Sequence, residues 1–69
     1  MTREQFAFDE LDARAAEDAK FPAAPDRGLP EWDEYAAIRG ARAKRRKSMG
    51  YSRASADALV AWAHAQDAA

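Results

Sequence analysis

The chain has 69 residues and is 48% hydrophobic, but 19 alanines supply most of that figure and only 13 large apolar side chains follow Met1. That is enough for one small domain with a thin core, and the absence of cysteine excludes a disulfide or a cysteine-based metal site as a brace, so dimerisation is the expected remedy. Net charge is −1, yet residues 1–38 hold ten acids and four bases while residues 39–69 hold seven bases and two acids, and with no apolar run of bilayer-spanning length and no signal-peptide core the chain is expected to be cytoplasmic and off the membrane.

Thr2-Arg3-Glu4-Gln5 matches a capping box, with Thr2 as the cap and Gln5 reaching back. It predicts a first helix over 3–19 that aligns Phe8, Leu11, Ala15 and Ala19 and leaves Phe6 nearly opposite. The alternative start is Asp9, with Phe6 and Phe8 in an extended arm. Exposed in a monomer, Phe6 would be a dimer contact. Asp9, Glu10, Asp12, Glu17 and Asp18 read as a solvated helix face, not as metal ligands.

Residues 20–29 carry Pro22, Pro25 and Gly28, which forbid a regular helix. An extended connector is expected, anchored by Phe21 and Leu29. It is long enough to cross the domain or a dimer.

Residues 30–49 form the strongest predicted helix. Pro30 suits the first helical position. Glu31, Asp33 and Glu34 suit the positive end of the helix dipole, and Lys44, Arg45, Arg46 and Lys47 the negative end. Gly50 suits the left-handed residue that closes it. Trp32, Ala36 and Ala43 fall within about 40° of one another on this helix, with Tyr35 beside them. Arg39, Arg42 and Arg46 continue the same side. Two readings of that stripe stand together. The aromatics are core and the arginines pair with the acidic first segment, or Trp32, Tyr35, Arg39, Arg42 and Arg46 form a partner-binding surface rich in hot-spot residue types.

A turn over 50–52 leads to a third helix over 53–66, capped by Ser52 or, more weakly, by Ser55. Ser55, Leu59, Trp62, Ala63 and Gln66 share a stripe, widened by Ala56 and Val60. His64 lies on the polar side and suits a helix C-terminus as a surface residue. The closing Asp67-Ala68-Ala69 is expected to fray. The expected fold is therefore all-α: a small three-helix domain with a helix-turn-helix-like C-terminal pair, completed by dimerisation through Phe6, Phe8, Leu59 and Trp62.

No nucleophile–base–orienter set and no glycine-rich phosphate loop can be assembled, so no enzyme activity, catalytic residue, metal or cofactor is expected. Ser48-Met49-Gly50-Tyr51-Ser52-Arg53 resembles the turn of helix-turn-helix DNA-binding domains, with Ala56 and Leu59 where that family buries apolar residues. The resemblance covers about 15 residues. It departs from the family at Arg46, where a small buried residue is usual, and in the length of the preceding helix. It implies that Arg53, Ala54 and Ser55 face bases, and that Arg45 and Lys47 meet phosphates. The leading reading is instead a protein–protein interaction module. In size and make-up it is similar to the small accessory proteins of phages and mobile elements, which inhibit or redirect host transcription regulators or motor ATPases. Nucleic acid is the second choice of partner.

Overall fold

A computed structural model describes residues 1–68. It is all-helical: α1 spans Arg3–Lys20, α2 Glu31–Ser48 and α3 Arg53–Ala68, with no strand among the described residues. Each boundary has a local cause. At the start of α1, the Gln5 N–H donates to Thr2 Oγ1 at 3.1 Å and the Thr2 N–H to Gln5 Oε1 at 2.9 Å, a complete capping box. The helix ends where the Phe21 N–H reaches the Glu17 carbonyl, just before Pro22. Pro30, already helical at φ −57° and ψ −31°, precedes α2. Bonds from Trp32 N–H to the Leu29 carbonyl and from Asp33 N–H to the Pro30 carbonyl tighten its first turn.

The turn between α2 and α3 is a Schellman motif. Gly50 sits at φ +78°, its N–H donates to the Lys47 carbonyl, and the Tyr51 N–H donates to the Arg46 carbonyl. Ser52 then caps α3, accepting the Ser55 N–H at 3.1 Å. Helix α3 still includes Asp67 and Ala68; Ala69, the last of the residues expected to fray, lies outside the described residues.

Helix α1 is the shared element. It packs closely along α3 and approaches α2 less closely, while α2 and α3 touch each other least. The buried side chains of these two helices are mostly small: Ala7 of α1 and Ala56, Val60 and Ala63 of α3 are all at most 9% exposed. Small residues let two helix backbones approach, so little apolar area suffices to hold them. The shortest dimension of the domain, 18 Å, accommodates only two helix layers at about 8–10 Å spacing.

The most buried side of α1 differs from the expected one. Ala15 and Ala19 are exposed, whereas Phe6, Ala7 and Glu10 are buried. The reason is geometric. A helix held between two neighbours buries two sides, and the Phe6–Glu10 side is the one that meets α2 and the Tyr51 turn. Phe6 is fully buried, its ring 5.0 Å from that of Tyr51 and capped by the Arg45 guanidinium. This corrects its assignment as a dimer contact: it has no surface to offer a second chain.

Candidate functional site

Between α1 and α2 the contact is ionic where a small domain would ordinarily place leucines. Glu10, 2% exposed, is the hub. Its Oε1 accepts from Arg42 Nε at 2.7 Å, and its Oε2 from Arg45 Nη2 at 3.4 Å. Arg14, one turn along α1, approaches the same carboxylate at 4.0 Å. Arg42 bridges further, its Nη1 lying 2.7 Å from Glu17 Oε2. Arg14 turns its Nη2 to Asp57 of α3, also at 2.7 Å. One connected chain of charges, Glu17–Arg42–Glu10–Arg14–Asp57, thus ties all three helices. At the far end of the domain, Lys20 pairs with Glu34 across the connector.

The electrostatics follow from this geometry. Burial pulls the Arg42 guanidinium down, but hydrogen bonds and charge from Glu10 and Glu17 outweigh it, so its pKa is raised and it stays a cation. The Asp57 carboxyl is held below the usual aspartate value by its hydrogen bond and charge contact with Arg14, helped by the more distant Arg53 and Arg42. Arg14 Nε, Glu17 Oε1 and Arg45 Nε are buried without a hydrogen-bond partner among the described residues.

These charges line an open groove of about 510 Å³, within the usual range for binding clefts of about 300–1,000 Å³. Its walls carry Arg14, Arg39, Arg42, Arg46 and Arg53 together with Glu10, Glu17, Asp18 and Asp57. Two of the arginines, Arg14 and Arg42, are spent on the network. The other three are not. Arg39 donates to Tyr35 Oη at 2.7 Å and lies over that ring. Arg46 donates to the Tyr51 carbonyl at 3.1 Å. Arg53 is exposed.

The arginine stripe read from the sequence therefore divides by role. Arg42 faces inward and joins helices, whereas Arg39 and Arg46 rim the groove. Tyr35 is buried and Trp32 half-buried, in an aromatic cluster where Tyr35 meets both Phe21 and Trp32 edge-on or tilted. Arg27 covers the Trp32 ring. Among the residues assigned to nucleic acid, Arg45 is turned towards Glu10 and Phe6, while Lys47 and Arg53 are exposed. The expectation of a fully solvated acidic face on α1 is corrected for Glu10 and Glu17. Both are tucked against arginines, with side chains only 3% and 12% exposed. Glu10, Glu17, Arg14 and Asp57 were missed as site residues. The signal available was spacing: Glu10, Arg14 and Glu17 recur at helical intervals, opposite an α2 whose arginines do the same.

A second surface lies near the α1 N-terminus. Trp62 is 41% exposed with Phe8 edge-on beneath it, their centroids 5.5 Å apart. Trp62, Leu59, Ala58 and Tyr51 line a shallow cavity of about 490 Å³, with Arg3, Glu4 and Ser55 alongside. No helix of the described residues is long and apolar enough to cross a membrane. No protein-family model, curated protein or solved structure matches the chain.

Proposed function

We propose that the chain is a protein–protein interaction module: a homodimer that binds another protein and inhibits or modulates it. The observation that carries this reading is Trp62, a large aromatic left 41% exposed in a domain with few large side chains to spare. Tryptophan at the centre of an apolar patch is the residue type most enriched at interface hot spots. Its patch also suits a second copy of the same chain. A two-fold interface must be self-complementary, and Arg3 and Glu4 border the patch together, so each can face the other across the axis. Dimerisation there uses Leu59, Trp62 and the edge of Phe8. It leaves the arginine-rimmed groove for the partner protein, with Arg39 and Arg46 as contacts.

The helix-turn-helix alternative keeps one supporting observation, since Arg53, Ala54 and Ser55 are all exposed at the start of α3. Against it stands Arg45, whose guanidinium is engaged with Glu10 instead of reaching outward.

Sedimentation equilibrium tests the dimer. Wild type should give twice the 7.6 kDa chain mass, and Trp62→Glu should give the single-chain mass with its helix content intact. A wild-type protein that stays monomeric at high concentration removes the homodimer. Titration with random duplex DNA tests the alternative. A steep salt dependence of binding favours DNA, whereas indifference to DNA with capture of a defined protein favours the module.

A further inference from the structure

Three arginines approach the groove from two helices without a carboxylate of their own. Arg39 and Arg46 stand seven residues apart on α2, on the same side and separated by a rise of about 10 Å. Each gives one donor to an uncharged oxygen, the Tyr35 hydroxyl or the Tyr51 carbonyl. Arg53, at the first position of α3, forms no ion pair or hydrogen bond among the described residues. A guanidinium has five donors in a planar fork, so all three keep donors for a ligand. Three of the groove's four acids are committed to other arginines, Glu10 and Glu17 to Arg42 and Asp57 to Arg14, and the fourth, Asp18, forms no ion pair with any of the three among the described residues.

We infer that this groove binds an acidic polypeptide segment, with Arg39, Arg46 and Arg53 each receiving a carboxylate. This rests on the interaction-module reading and names the chemistry of the partner. The mixed lining selects polypeptide over nucleic acid. Asp18 and Asp57 stand on the groove wall, and Arg14 at 2.7 Å favours the ionised form of Asp57. A uniform polyphosphate laid along the groove would press phosphates against both. A peptide can set carboxylates opposite the arginines and place neutral residues or N–H groups opposite Asp18 and Asp57. The spacing fits as well. In a polyproline II conformation three residues rise about 9 Å and return to the same face, close to the separation of Arg39 and Arg46, so acids at every third position reach both.

The probe is a rhodamine-labelled peptide of four Glu-Gly-Ser repeats, followed by fluorescence anisotropy at low salt. The wild-type protein should bind it, and the Gln-Gly-Ser counterpart should bind about tenfold more weakly or worse, a difference of ~1.4 kcal/mol. Arg39→Gln with Arg46→Gln should abolish binding. Because those two side chains also touch Tyr35 and Tyr51, the exposed Arg53→Glu serves as the second variant. It should weaken binding about tenfold with its thermal midpoint unchanged. The inference is overturned if the glutamine peptide binds as well as the glutamate one, or if Arg53→Glu binds like wild type. It is also overturned if an oligothymidylate of equal charge binds more tightly than the peptide. A protein that dimerises through Trp62 and captures a partner, yet ignores the glutamate peptide, overturns this inference alone and leaves the module reading in place.

Discussion

Removing the Glu10 carboxylate would leave Arg42 and Arg45 crowded against each other on the α1 side of α2. Breaking a buried pair by deleting one partner costs about 3–5 kcal/mol, because the remaining charge is left without compensation. Arg42 keeps Glu17 at 2.7 Å, and Arg42 and Arg45 keep 21% and 33% of their side-chain surface exposed, so part of that loss is recovered. Glu10→Ala should therefore destabilise by about 3 kcal/mol, the lower end of the range. At roughly 4–8 °C per kcal/mol for a domain of this size, the thermal melt should fall by about 12–24 °C. A shift of a degree or two would mean that the network is idle. Asp57 gives a gentler test, because its side chain is 64% exposed. Its pKa is lower folded than unfolded, so its contribution is present above the ordinary value of 3.8 and disappears as pH falls through the depressed one. In an NMR titration its carboxyl should turn over below 3.8 in wild type and return towards that value in Arg14→Ala. An unmoved midpoint would show that the Arg14 contact does not persist in solution.

At the scale of the elements, two glycines with equal space around them should respond in opposite directions. A methyl added at either Gly40 or Gly50 meets nothing within 4 Å, so only backbone preference decides. Gly50 holds φ +78° in the closing turn of α2, where a side chain costs roughly 1–2 kcal/mol. Gly40 lies in the interior of α2, where alanine is favoured by about 0.5–1 kcal/mol. Denaturant unfolding should show Gly50→Ala less stable and Gly40→Ala more stable than wild type. Equal effects would mean that the turn is not held as described. The elements themselves were legible, because the signals that start and stop them are local: Thr2 with Gln5, Pro22, Pro30, Gly50 and Ser52 each act on their own turn. The three-helix, strandless architecture follows from those residues. The site was legible only in part. A helical wheel reports one face at a time, and Phe6 and Glu10 fell off the apolar face it selected for α1. Which side of a helix is buried depends on how many neighbours it has, a tertiary fact that no single segment encodes. The arginine stripe was visible, but the division of Arg42 from Arg39 and Arg46 required knowing where Glu10 and Glu17 sit.

For the whole molecule, the two interfaces of α1 are of different kinds. Towards α3 it is mainly apolar, built from alanine and valine with Phe8 against Trp62, and carries one outer ion pair, Arg14 with Asp57. Towards α2 ion pairs lie between two aromatic contacts, Phe21, just beyond α1, with Tyr35 and Phe6 with Tyr51 of the turn. Water and salt therefore act more on the α2 seam than on the α3 seam, where the exposed Arg14–Asp57 pair adds little to the packing. At 1 M salt the screening length falls to about 3 Å; partly buried pairs are screened less than exposed ones, but Arg42 and Arg45 keep 21% and 33% of their side-chain surface in water. Helix α2 should then behave as a separately cooperative unit, hinged at its aromatic ends, opening at lower free energy than the α1–α3 pair. Native-state hydrogen exchange followed against sodium chloride reads this directly: amides in the middle of α2 should lose protection as salt rises, while those of Ala7, Val60 and Ala63 hold theirs. Uniform loss along all three helices would show a single unit. If α2 does open alone, ionic strength becomes a dial on the groove itself, since the same opening that frees Glu10 and Glu17 also parts the wall carrying Arg39 and Arg46.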